Sequence, residues 1–221
     1  MFTRVLVADD LDSINQGILM TANQLGIPEV VQVQYCDDAY LRIKRGVLDE
    51  KPFELLITDL SFKSDHRAQK YSSGEALIEV LHREHPDVKI IVYSIEDRPH
   101  KVRSFFDQHG IKGYVTKSRR GMKQLAKAIE TVFNGQTYVS PELREALQNN
   151  DSLDLTDHDL EIVRLLAEGY SQAEISTLFK DKGMSPSSLS SIEKQLNKLK
   201  IQFRANNAVH LVAIVKDLGL I

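Results

Sequence analysis

The chain reads as two domains: a doubly wound α/β sandwich built on a five-stranded parallel sheet, then a small all-α domain of four helices. Three observations predict this. Five short apolar runs are too continuous for half-exposed strands and fit strands covered on both faces. Amphipathic segments of helix length separate them, the alternation that builds parallel β-α units. After Phe133 the alternation stops, and from Leu155 to the end no strand pattern remains.

The strands are expected at 4–8, 30–35, 54–58, 89–93 and 113–116, and the helices near 13–25, 38–48, 74–85, 98–109 and 121–133. Asp12 or Ser13 is placed to cap the first helix. Asn134-Gly135 ends the fifth helix, Ser140-Pro141 starts a short amphipathic piece, and the stretch from Gln148 to Ser152 is polar and turn-rich. Residues 134–154 therefore read as a linker between domains at 1–133 and 155–221. In the second domain, Thr156 with Asp159 and Ser171 with Glu174 have capping-box spacing, for helices ending near Gly169 and Phe179. Asp181-Lys182-Gly183 is a turn. Ser185 then caps a third helix with Pro186 at its first position, where a missing N–H is harmless. A fourth helix runs from about Asn207 to Leu218 and stops at Gly219. The second and third helices with their short turn have the form of a helix-turn-helix.

Composition excludes several classes. A chain of 221 residues with 42% hydrophobic and 27% charged residues is ordinary for soluble globular domains, and a net charge of -3 singles out no partner. No apolar run approaches the roughly 20 residues of a membrane-spanning helix, and the N-terminus enters the first strand without a signal-peptide pattern, so a cytoplasmic protein with no membrane role is expected. Cys36, the single cysteine, has no partner for an internal disulfide and is read as a packing residue. His82 and His85 have helix spacing, but Pro86 ends that helix and no third ligand is evident, so they read as a solvated helix end.

The polar residues that end the strands carry the chemistry. Asp9 and Asp10 follow the first strand, Asp59 the third, Ser94 the fourth and Lys117 the fifth. In a parallel sheet of this kind ligands bind outside the carboxyl ends of the strands, so three carboxylates, a hydroxyl and an ammonium gather on one rim. That set suits a divalent cation and a phosphoryl group. With these residues in this order, residues 1–133 resemble the flavodoxin-like receiver domain of two-component response regulators. The resemblance implies that Asp59 is the phosphoacceptor, fed by a histidine kinase. It further implies that Asp9, Asp10, Asp59 and Ser61 hold Mg²⁺, that Lys117 neutralises developing charge, and that Ser94 and Tyr114 form the switch pair. Two departures stand out. The loop from Ser61 to Gly74 is longer than usual and lacks the usual proline, and Ile95 stands where a small residue is common, where its bulk is expected to restrict access to the phosphoryl group.

Residues 155–221 resemble the LuxR-type helix-turn-helix of NarL-class regulators, through Leu155-Thr156, the run Leu165 to Ser171, Glu174-Ile175 and Ser185-Pro186-Ser187-Ser188-Leu189. From Lys182 to Lys216 the only acid is Glu193, against Lys182, Lys194, Lys198, Lys200, Arg204 and Lys216, a local basic footprint of the kind that phosphates attract. A buried stripe of Leu189, Ile192, Leu196 and Leu199 leaves Ser187, Ser191, Lys194 and Lys198 outward, the set expected to meet DNA. The expected function is a phosphorylation-controlled DNA-binding transcriptional regulator, dimeric when active. Two competitors are a regulator acting through protein–protein contact with a helical domain that has lost DNA binding, and an α/β phosphotransfer enzyme with an external substrate. The absence of a second nucleophile and of a glycine-rich phosphate loop argues against the latter.

Overall fold

The computed structural model describes residues 1–63, 66–150 and 155–221. The chain divides into two compact units, Met1–Ala146 and Leu147–Ile221.

The first unit alternates strands and helices: β1 (Arg4–Ala8), α1 (Asp12–Gln24), β2 (Glu29–Val33), α2 (Cys36–Leu48), β3 (Leu55–Thr58), α3 (Gly74–Glu84), β4 (Lys89–Ser94), α4 (Pro99–His109), β5 (Gly113–Thr116) and α5 (Gly121–Phe133). The sheet is parallel, in the order β2-β1-β3-β4-β5-β6. Its sixth strand, β6 (Tyr138–Val139), and the helix α6 (Pro141–Asn150) occupy the segment expected to be a linker. Helix α6 is the amphipathic piece expected from Ser140-Pro141; the unexpected element is β6, for a simple physical reason. Two residues are too few to show a period, and β6 forms because β5 offers it a free edge, Gly113 facing Tyr138 and Tyr114 facing Val139. Ser140 then locks the extension: its N–H donates to the Tyr114 carbonyl, and its Oγ accepts the Thr116 N–H at 3.0 Å and donates to Gln124 Oε1 at 2.8 Å. The turn-rich stretch from Gln148 to Ser152 lies partly outside the described residues.

Burial explains the continuous apolar runs. Val5, Val7, Leu55, Ile57, Ile91, Tyr93 and Val115 pack with Ile18, Ala22, Leu125 and Ile129 of α1 and α5. Leu6, Leu56, Val92 and Tyr114, on the opposite phase of the same strands, are equally buried, so successive residues face opposite covered surfaces. Cys36, the first residue of α2, is fully buried, and burial pushes its thiol up to about 12. β1 lies between β2 and β3, so the chain changes direction across the sheet between β1 and β3, the position where doubly wound sheets open a ligand crevice.

The second unit holds α7 (Asp157–Ala167), α8 (Gln172–Asp181), α9 (Leu189–Gln202) and α10 (Ala208–Asp217) around a core that includes Ile162, Ile175, Phe179, Ile192, Leu196 and Leu211. Both expected capping boxes are present. Asp159 does more than cap: it is fully buried, and its Oδ1 also accepts a hydrogen bond from Gln195 Nε2, tying α7 to α9. The start of α9 differs from expectation. Ser188, not Ser185, is its cap, taking the Ser191 N–H at 3.2 Å. The Pro186 carbonyl bonds His158 Nε2 at 2.8 Å and the Ser187 carbonyl accepts the Ser176 hydroxyl at 2.7 Å, so the preceding residues are held as a turn against α7 and α8.

Candidate functional site

The strand ends deliver the expected groups to one rim. Lys117, at the end of β5, donates from Nζ to Asp9 Oδ2 and to Asp59 Oδ2, each at 2.7 Å. Asp59 is buried, and its second oxygen takes the Leu60 N–H at 2.6 Å. Asp9 is buried too, its Oδ1 accepting the Leu11 N–H at 3.0 Å. That bond belongs to the turn into α1, whose cap position is Leu11 with no side-chain cap, so neither Asp12 nor Ser13 serves as one. Asp10 is half-exposed, and its Oδ2 accepts the Lys63 N–H from the loop after β3 at 2.9 Å. Ser61 is exposed at the start of that loop.

Electrostatics at the rim are a contest between burial and pairing. Burial raises the Asp9 carboxyl above its ordinary range, and the Lys117 hydrogen bond only partly opposes it. For Lys117 burial alone would lower the pKa, but the hydrogen bonds to Asp59 and Asp9 outweigh it and hold the ammonium more firmly charged. One ammonium thus serves two carboxylates.

Ser94 and Tyr114 sit beside this cluster. Ser94 is fully buried, its Oγ accepting the Glu96 N–H at 3.4 Å. Tyr114 is fully buried as well, and its hydroxyl donates to the Glu96 carbonyl at 2.9 Å, so both residues hold the same turn after β4. Ile95 lies between them in sequence yet is 69% exposed.

Gly74, at the N-terminus of α3, is a residue that sequence reasoning passed over. A Cβ there would lie 1.8 Å from the Asp59 carbonyl oxygen, so only glycine lets α3 begin this close to the acidic strand end. The signal was present as Ser73-Gly74, a cap followed by a glycine, but the collision partner is visible only once β3 and α3 are placed.

Among the described residues no group of three or more His, Cys, Asp or Glu side chains gathers tightly enough to hold a metal ion. The donor chemistry nonetheless fits Mg²⁺, which binds through one or two carboxylates, waters and phosphoryl oxygens rather than a full protein cage.

On α9 the expected outward set divides. Lys194 and Lys198 are exposed, with Ser190, Glu193, Asn197 and Ile201 around them. Ser187 precedes the helix, and the Ser191 hydroxyl is shared with Ser188 Oγ at 2.7 Å, so both serines build the helix start. Leu189, expected in the buried stripe, is 42% exposed because the helix begins there, one turn before the core residues Ile192 and Leu196.

The chain is 30% identical over 184 residues to the response regulator GacA of Pseudomonas aeruginosa, an alignment covering 78% of this chain and 79% of that protein. It is a response regulator. GacA of Pseudomonas protegens is 32% identical over 146 residues, and there the chain spans 62% of the relative's length. No family model matches the chain. Among solved structures, RcsB, described as two dimers bound to two parallel DNAs, superposes with a TM-score of 0.63 at 25% identity, covering 98% of each chain. The isolated REC domain of RcsB from Salmonella enterica serovar Typhimurium, in the presence of the phosphomimetic BeF3-, gives 0.54 at 25% identity over 66% of this chain and 99% of that one. The response regulator therefore pairs a doubly wound α/β unit with a C-terminal helical unit of the RcsB kind.

Proposed function

We propose that this response regulator is a phosphorylation-controlled transcription factor: Asp59 accepts a phosphoryl group, and the helical domain at 155–221 binds DNA. The observation that carries the reading is the Lys117 ammonium held 2.7 Å from both Asp59 Oδ2 and Asp9 Oδ2. Phosphoryl transfer needs alignment and charge stabilisation more than covalent help. An Asp59 carboxylate oxygen attacks the phosphorus of a histidine kinase's phosphohistidine, forming a P–O bond as the P–N bond breaks and the electron pair returns to the imidazole nitrogen. Lys117 carries the positive charge that stabilises the transferring oxygens, and Ser94 supplies a hydroxyl donor beside the acceptor. Asp9, Asp10, Asp59 and Ser61 would hold Mg²⁺, which adds charge neutralisation when bound. The buried Ser94 and Tyr114 both contact the turn at Glu96, which is where a new phosphoryl group would be felt as a change in packing. Pairing as a homodimer would let two helical units read two half-sites.

The test is intact mass after incubation with Mg²⁺ and a small phosphodonor. Wild type is expected to gain one phosphoryl group and Asp59→Asn none; labelling of Asp59→Asn at the normal rate would sink the assignment, and chelating the metal is expected to abolish labelling. One observation favours a second reading, a regulator acting by protein contact: Ile201, on the exposed side of α9, is 80% exposed. Salt-sensitive binding to genomic fragments separates the two, because protein contact through an apolar residue has no counterion slope.

A further inference from the structure

Arg67, Lys70 and Tyr71 of the long loop after β3 are fastened to the first turn of α2. Asp37 and Asp38, in the first turn of α2, both take partners from residues beyond the rim. Asp37 Oδ2 accepts the Lys70 N–H at 2.9 Å, and its Oδ1 accepts the Tyr71 N–H at 2.8 Å. Asp38 holds the Arg67 guanidinium at two points, Nη1 to Oδ2 at 3.1 Å and Nη2 to Oδ1 at 2.7 Å. The same guanidinium lies 4.4 Å over the Tyr35 ring, and the Tyr71 and Tyr40 rings pack at 5.1 Å between centroids. At its near end the loop delivers the Lys63 N–H to Asp10 Oδ2 at 2.9 Å. Arg67, Lys70 and Tyr71 are thus held on α2, while Lys63 meets the cation side of the rim through its backbone N–H.

We propose that Asp37, Asp38 and Arg67 are positioning residues for cation binding at the rim, an inference that rests on reading the rim as a Mg²⁺-dependent phosphoacceptor site. A backbone N–H donated to a carboxylate is a charge-assisted bond that fixes the orientation of the acceptor. It can do so for Asp10 only while Lys63 stays in place. A free loop of this length would have to be ordered each time a cation engaged Asp10, and that ordering would subtract from affinity. The anchor removes the loss in advance: a two-point arginine–carboxylate pair stacked on an aromatic ring has one well-defined geometry, and two consecutive backbone donors on Asp37 fix the chain direction after it. Groups outside the ligand shell that orient ligands in this way tune affinity while the chemistry stays with the ligands themselves. The insertion is thereby part of the site's outer support.

The experiment titrates full-length protein with MgCl2 at constant ionic strength and follows the thermal midpoint, which rises with a ligand that binds only the folded state. Wild type, Arg67→Ala, Asp38→Asn and the double variant are compared, with phosphorylation by a small phosphodonor measured at saturating Mg²⁺. Arg67 is exposed, so its truncation is expected to leave the metal-free midpoint nearly unchanged. The Mg²⁺ concentration at which stabilisation sets in is expected to rise about three- to tenfold in each variant, at or below the loss typical of an outer-shell partner. The double variant is expected to lose less than the sum of the two single losses, because the two residues share the ion pair. The labelling rate at saturating Mg²⁺ is expected to match wild type. Variants whose Mg²⁺ dependence equals wild type, or which bind the cation more tightly because the Lys63 N–H competes with it, would overturn the inference. A wild-type midpoint indifferent to Mg²⁺ would instead remove the reading of the rim, and this inference with it.

Discussion

Asp9 shows how a single side chain is held in an unfavourable state by its surroundings. Its folded pKa lies above the ordinary 3.8 because burial disfavours the charged form. A raised carboxyl contributes stability only in its protonated form: the contribution is complete below the ordinary value and is lost as the pH rises through the folded value. Above the folded value the ionised carboxylate is therefore a burden on the metal-free fold, and Lys117 keeps a second partner in Asp59. Asp9→Asn is expected to raise the metal-free thermal midpoint at pH 7, with the gain vanishing below about pH 4, while labelling of Asp59 falls sharply. A midpoint that drops at pH 7 would show that the Lys117 pair outweighs burial. Ile95 gives a second expectation at this scale. Its exposed side chain follows the buried Ser94, a position expected to narrow the approach of water to a phosphoryl group on Asp59, so Ile95→Ala is expected to shorten the lifetime of labelled protein; an unchanged or longer lifetime removes the idea. The rim residues were legible in the sequence because each ends an apolar run. Lys63 and Ser140 were not, because what matters in them is a backbone N–H or a hydroxyl whose partner lies 53 or 24 residues away.

Among the elements, α3 begins under the tightest constraint. Gly74→Ala would drive a Cβ into the Asp59 carbonyl, which lies on backbone that cannot rotate away. It is expected to destabilise the fold by at least about 1–3 kcal/mol in denaturant melts and to slow labelling in proportion to the shift of Asp59. Near-normal stability would mean that α3 simply slides outward. Helix α9 is the element proposed to meet DNA. Lys194 and Lys198 remain exposed, so a phosphate-contacting lysine changed to alanine is expected to weaken binding to all sequences alike and to reduce the salt slope by about one. A base-contacting lysine would instead relax preference at one position, and wild-type binding by both folded variants would favour the protein-contact reading. The long elements were visible in the sequence through their periods. The short strand β6 and the start of α9 were hidden: one is too brief to have a period, and the expected cap, Ser185, gives way to Ser188 because the Pro186 and Ser187 carbonyls are held by His158 and Ser176.

For the whole molecule, the proposed coupling between Asp59 and DNA must run both ways. If occupancy of the acidic rim tightens DNA binding by some factor, DNA must tighten occupancy of the rim by the same factor, typically about 5–150 for allosteric pairs. BeF3- with Mg²⁺ offers an equilibrium version of the measurement: its apparent affinity for the full chain is expected to rise in the presence of a saturating selected fragment, by the factor seen in the reverse experiment. Unequal factors would mean that a third equilibrium, such as dimerisation, carries part of the linkage. The buried Cys36 supplies a means of watching such changes. A buried thiol pushed up to about 12 is almost wholly protonated at neutral pH, and the thiolate is the reactive form. In the native protein it is expected to resist alkylation, reacting only when the sheet layer opens. Its labelling rate is then a clock for unfolding of the first unit, and any cysteine added to an exposed position can carry a spectroscopic probe without removal of the natural one.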